Sequence, residues 1–208
     1  MPNKDIKNVI IPKGIDLNNF KDQPDKEEQS RNDLDEILKA IKIDPSEDMQ
    51  PPQVALQIKC ENDFTNIGTL GNFSLITGKA KSRKTFLMSL LLSACIMGTI
   101  FLNRIKGCLT HPQNEALYFD TEQSRYHVQR AVKRICKLVG TPVPGNLHAY
   151  GLRKFLPGER LALIEHAIYS NDRIGLVVID GIKDLISSIN DEEQATMISS
   201  KLLKWTEE

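Results

Sequence analysis

Apolar and polar positions change rhythm near Pro51 and Pro52. The segment before them is charged, rich in Asn and Asp, carries Pro12, Pro24 and Pro45, and has too few large apolar residues to build a core. Within it, Leu34, Ile37, Leu38 and Ile41 recur at helical spacing. Asp33, Asp35 and Glu36 stand near the start of that stretch and Lys39 and Lys42 near its end, so one short amphipathic helix is predicted. Its apolar face packs on its own domain or docks onto a neighbouring subunit or partner.

Beyond Pro52 the pattern alternates between strand and helix. Val54 to Ile58 alternates as a half-buried edge strand does, Phe73 to Thr77 forms a short apolar strand, and Lys84 to Leu102 is helical. Ala116 to Asp120 is a second, buried strand. Val128, Ala131, Val132, Ile135, Leu138 and Val139 then mark an amphipathic helix stopped by Gly140 and Pro142. Leu147 to Tyr150 reads as a third strand, Pro157 to Ser170 as a helix and Gly175 to Asp180 as a fourth strand. Such alternation predicts an α/β fold, a mostly parallel sheet with helices on both faces. The expected organisation is a flexible charged arm over residues 1–50, with its one helix, and a core over residues 51–208.

Composition narrows the setting. The 208 residues carry 27 Lys plus Arg against 27 Asp plus Glu, so there is no global sign of binding to nucleic acid or acidic membrane, and any basic surface is local. Cys60, Cys95, Cys108 and Cys136 contain no Cys-x-x-Cys pair and read as reduced packing residues of a cytoplasmic protein. Met1 to Asn8 lacks the apolar core of a signal peptide. Phe86 to Leu102 is uncharged, yet Ser89, Ser93, Gly98 and Thr99 dilute it, and a buried helix explains it better than a membrane span.

The candidate chemistry lies at Gly78-Lys79-Ala80-Lys81-Ser82-Arg83-Lys84-Thr85, between a predicted strand and a predicted helix. A loop in that place can hold a triphosphate by turning successive backbone N–H groups inward at a helix N-terminus. Lys84 would reach the β- and γ-phosphates of ATP, and the Thr85 hydroxyl would ligate Mg²⁺. Arg83 occupies the place where the usual pattern has its second glycine; if that position needs positive φ, the non-glycine costs on the order of 1 kcal/mol. Leu176 to Asp180 is four apolar residues ending in an acid, and Asp180 fits as the carboxylate that holds Mg²⁺ through water, or else caps a helix. Asp120 and Glu122, at the end of the second strand, should lie near the γ-phosphate, where either could orient the attacking water, Glu122 being preferred. Alternatively, Thr121 to Ser124 starts the next helix, with Glu122 a favourable N-terminal charge.

Together, Ile67 to Gly78, the phosphate loop, the acid-ended second strand and Leu176 to Asp180 resemble the RecA-like P-loop ATPase fold, from roughly Asn66 onward. Within that fold the chain looks most like the RepA-type and DnaB-type replicative helicases, particularly helicase-like ATPases of bacterial mobile elements. The resemblance implies that Glu122 is the catalytic glutamate and Asp180 the Walker B acid. It also implies a hexameric ring that hydrolyses ATP at subunit interfaces around single-stranded DNA. The family's further core strand with its polar sensor, DNA-binding loops and arginine finger are not identifiable. The helix from Asp191 through Leu203 reaches Glu208 without a stop signal, which reads as a fragment rather than a reduced ATPase.

Two rival readings accompany this one. Gly78-Lys79 before Lys84-Thr85 also resembles the deviant loop of ParA and MinD partition ATPases, although those loops are richer in glycine. From a different class, the chain reads as a nucleotide-dependent binding or regulatory module with little hydrolysis. Arg130, Lys133, Arg134 and Lys137 lie opposite the apolar stripe of their helix, either as a DNA-phosphate contact or as a solvated face. His111, His127, His148 and His166 show no metal-ligand spacing.

Overall fold

A computed structural model of the protein describes residues 33–79, 81–187 and 192–207. The chain divides between Gln50 and Pro51. In the first unit residues 33–40 are helical (α1), and the arm before residue 33 lies outside the described residues.

The second unit is organised by one strand whose two faces are both apolar. In β5 (Glu115–Asp120) all six residues are buried. Leu117 and Phe119 point to one side, where α4 (Pro157–Tyr169) and α5 (Glu192–Glu207) supply Leu161, Ile164 and Ile198. Ala116 and Tyr118 point to the other, against Leu92 of α2 (Lys84–Met97) and Val128, Ala131 and Ile135 of α3 (Arg125–Val139). Period-two alternation thus gives each pair of helices its own sheet face. β5 pairs in parallel with β6 (Leu147–Gly151) on one edge and β7 (Ile174–Asp180) on the other, and the register sets Asp120 opposite Asp180. Both carboxylates therefore reach the same end of the sheet.

The expectation of a single, mostly parallel sheet needs correction, because a second, antiparallel sheet stands beside the first. Its order is β2 (Asp63–Thr69), β1 (Val54–Cys60), β4 (Ile105–Gly107), β3 (Ile100–Phe101). Hence β1 is an inner strand, not an edge. Phe73 to Thr77 belongs to neither sheet, and Phe73 and Leu75 are exposed. Alternation supplies a strand's side-chain pattern, but the backbone bonds need a neighbour, and among the described residues none pairs with this segment.

Helix α2 ends at Met97 rather than Leu102, since Gly98 adopts a left-handed cap whose N–H donates to the carbonyls of Ala94 and Cys95. The uncharged run beyond Lys84 serves both sheets: Leu92 packs with the β5 layer, while Ala94 and Cys95 pack with Ala55, Leu56 and Ile105. At Gly107 of β4 a Cβ would lie 2.0 Å from the Ala94 carbonyl oxygen, so only glycine permits this approach. Burial pushes the Cys95 thiol up to about 12, consistent with a packing role; Cys60, in contrast, is exposed. Among the described residues no helix is long and apolar enough to cross a membrane.

The opposite end of the parallel sheet is closed by a buried carboxylate. Glu115 accepts hydrogen bonds from His148 on β6 (2.7 Å) and Asn171 (2.8 Å) and forms an ion pair with Arg173 (2.9 Å), tying together all three strand beginnings. The bond from His148, then that from Asn171 and the charge of Arg173, hold its carboxyl below the usual range. A carboxylate with a depressed folded-state pKa stabilises above its unfolded value of 4.5 and loses that contribution as pH falls through the folded value. Glu115→Gln is expected to cost about 1–2 kcal/mol at neutral pH. Thermal melts of the two proteins should converge as the pH is lowered below that value; a constant difference would contradict the assignment.

Candidate functional site

The loop from Gly78 to Thr85 runs into the N-terminus of α2, with Ala80 outside the described residues. Lys81 and Arg83 both adopt the left-handed backbone region, at φ 65° and 63°. Arg83 is the N-cap of α2 and makes no side-chain cap bond. The irregular position picked out in the sequence is therefore one where glycine would relieve strain. Gly78 itself has little room: a Cβ there would lie 2.7 Å from Ser82 Oγ, a contact that rotation of the Ser82 hydroxyl relieves. The ammonium of Lys84 folds back over the loop and donates to the carbonyls of Gly78 (3.0 Å) and Lys79 (3.4 Å). It occupies the position from which it closes the loop onto itself.

One residue further, Thr85 Oγ1 donates to Asp180 Oδ2 at 2.5 Å. This contact joins the first turn of α2 to the tip of β7 across 95 residues of sequence. Asp180 is not a helix cap, because the short helix after β7 (Ile182–Leu185) is preceded by Gly181 and has no side-chain cap bond. A hydroxyl and a carboxylate held together are hard oxygen donors of the kind Mg²⁺ accepts, so the residues present fit that ion.

Asp120 and Glu122 separate into different environments. Asp120 is fully buried, and its Oδ1 accepts from the backbone N–H of Glu122 (3.1 Å) and Gln123 (2.8 Å). Its Oδ2 accepts from Gln123 Nε2 (2.9 Å) and Tyr118 Oη (3.3 Å). Burial raises its carboxyl above the usual range, the bonds from Gln123 and Glu122 oppose that, and the neighbouring Asp180 charge adds to it. Asp120 is thus a fastener of the turn that carries Glu122. Glu122 is half exposed and pairs with Lys183, Nζ to Oε1 being 3.1 Å. It does not open α3, which begins at Arg125 after an N-cap at Ser124.

Several residues that sequence reasoning passed over hold this end of the sheet. Thr121 Oγ1 lies within hydrogen-bond reach of the carbonyls of Gly181 (2.8 Å) and Asp180 (3.1 Å) and of Asp184 Oδ2 (3.1 Å), and its one proton serves one of them at a time. Arg160 of α4 donates to the carbonyls of Leu152 (3.2 Å), Arg153 (3.0 Å) and Asp184 (2.6 Å), clamping the loops after β6 and β7. Gly181 has φ 98°, and a Cβ there would meet Thr121 Oγ1 at 2.2 Å and Glu122 Cγ at 2.7 Å. Only the glycine immediately after the acid-ended strand hinted at this packing.

Arg134 leaves the basic face assigned to it. It is half-buried, donates to Ser89 Oγ on α2 (3.3 Å) and lies over the Phe86 ring at 5.5 Å. Arg130, Lys133 and Lys137 remain exposed. Among the described residues no group of His, Cys, Asp or Glu side chains is gathered as a metal cluster.

Two substitutions check this geometry by thermal melting. Gly181→Ala should destabilise by about 1–3 kcal/mol, since its methyl group must displace Thr121 or Glu122. Arg83→Gly should stay within about 1 kcal/mol of the parent, because relief of left-handed strain offsets the added freedom of the unfolded chain. A Gly181→Ala protein that melts with the parent would contradict the packing.

No curated protein and no solved structure matches the chain. A family model described as AAA domain matches residues 57–208, which takes in the phosphate loop, both acid-ended strands and α5. With a match over most of its length, the chain belongs to the AAA domain family of nucleotide-binding P-loop ATPases.

Proposed function

We propose that the chain is the Mg²⁺-dependent ATP-hydrolysing motor domain of a replicative-helicase-like protein that acts on single-stranded DNA. The observation that carries the catalytic part is the bond between Thr85 and Asp180, which puts the helix start and the strand-end acid in one place. Single-stranded DNA as the track, and a ring of subunits, rest on the resemblance to RepA-type and DnaB-type helicases.

In this reading the N–H groups of the Gly78–Thr85 loop and the N-terminus of α2 receive the phosphates. Lys84 exchanges its two loop carbonyls for β- and γ-phosphate oxygens, a gain because a charged acceptor bonds an ammonium more strongly than a carbonyl does. Thr85 and Asp180 would hold Mg²⁺, which when bound neutralises charge on the phosphates. Glu122 orients the attacking water and accepts its proton as the oxygen bonds to the γ-phosphorus. The bond from that phosphorus to the ADP oxygen breaks, giving ADP and inorganic phosphate. Asp120, buried and fully engaged, positions the backbone of Glu122 and does not touch substrate.

Steady-state ATPase assays with and without single-stranded DNA test the proposal, alongside nucleotide-affinity measurements. Lys84→Ala should lose ATP affinity, whereas Glu122→Gln should keep affinity and lose turnover by roughly 10²- to 10⁴-fold. Unchanged affinity in Lys84→Ala would sink the phosphate-site assignment. Tight binding with no turnover in the parent would make the chain a nucleotide-dependent binding module instead.

A further inference from the structure

The turn that follows β7 does more than end a strand. It is fixed from three sides: the Thr121 N–H donates to the Asp180 carbonyl (3.0 Å), the Thr121 hydroxyl reaches Gly181 and Asp184, and the Arg160 guanidinium holds the Asp184 carbonyl at 2.6 Å. Within the turn the Asp184 N–H donates to the Gly181 carbonyl (2.9 Å), and Leu185 is anchored in the core beside Leu161 and Ile164. Lys183 projects from this rigid turn to Glu122 Oε1 at 3.1 Å.

The other end of the ion pair is equally constrained. Asp120 Oδ1 holds the Glu122 backbone N–H, and Gly181 lies so close to Glu122 Cγ that a Cβ would come within 2.7 Å of it. Exposed ion pairs contribute little when two long side chains must both give up freedom to meet. Here hydrogen bonds hold both backbones, so what the pair adds is the direction of one carboxylate rather than fold stability.

We propose that Lys183 is a positioning residue for hydrolysis: it engages Oε1 of Glu122 from the turn after β7 and leaves Oε2 to take the attacking water. The proposal rests on the reading of Glu122 as the group that orients that water. Because the turn is continuous with Asp180, Lys183 also ties the aim of Glu122 to the acid beside Thr85. A carboxylate loosened from its aim loses orientation, which lowers the rate of the chemical step without weakening nucleotide binding.

The test is a comparison of Lys183→Ala, Lys183→Arg and Glu122→Gln in the full chain, with Lys183→Ala repeated in the Glu122→Gln background by single-turnover ATP hydrolysis. Lys183→Ala should lower kcat about tenfold and leave KM within about twofold, while Lys183→Arg keeps most of the rate. In the Glu122→Gln background Lys183→Ala should add no further loss, and melting temperatures should be unaffected because the pair is exposed. An unchanged or raised kcat in Lys183→Ala, an equal loss in Lys183→Arg, or a further loss in the Glu122→Gln background overturns the proposal. If Glu122→Gln abolishes turnover while Lys183→Ala does not lower it, only the role of Lys183 fails. If Glu122→Gln turns over normally, the reading of Glu122 fails and takes this role with it.

Discussion

The 2.5 Å bond from Thr85 to Asp180 is the contact on which the rest of the site depends. It fixes the start of α2 against the tip of β7, and everything that reaches that sheet end is placed relative to it. The contact is possible because β5, buried on both faces and paired on both edges, gives the parallel sheet a rigid centre. Register then sets Asp120 beside Asp180, and α2 lies over the sheet through Leu92. Two acids side by side repel, and burial of Asp120 adds to the cost. Four hydrogen bonds to the Asp120 carboxylate offset it, and in offsetting it they fasten the turn that carries Glu122.

Much of the fold was legible because burial leaves a periodic trace. The buried strand ending at Asp120, the helix closed by Gly140 and the strand ending at Asp180 all end where the pattern ends them. What was not legible was pairing. Val54 to Ile58 alternates as an edge strand does, yet Ile105 to Gly107 pairs with its free side, and three residues leave too short a run to register as a strand. Phe73 to Thr77 shows the converse, a strand-like pattern without a ladder among the described residues. Periodicity reports which side a residue faces and is silent about which backbone lies next to it.

The site divides along a similar line. Thr85 and Asp180, which the structure brings within a hydrogen bond, could be picked out because the proposed phosphate and Mg²⁺ chemistry restricts residue type and spacing, and the same reasoning marked Arg83, which has positive φ. Lys183 and Arg160 could not, since a lysine or arginine in a polar stretch reads as a solvated charge until its neighbours are known. Arg134 is the clearest case: its place on a basic helix face suggested solvent or DNA phosphate, while in space it reaches Ser89 and Phe86 on the helix that follows the phosphate loop. The family match over residues 57–208 agrees with nucleotide binding by this domain.

The central claim is that the end of β7 and the start of α2 together form a metal-dependent nucleotide site. ATP affinity of the full chain, titrated in Mg²⁺ and again in EDTA, for the parent and for Asp180→Asn, tests it most directly. The account predicts tighter binding with Mg²⁺ in the parent and loss of that advantage in Asp180→Asn. Equal affinities with and without Mg²⁺ in both proteins would contradict it.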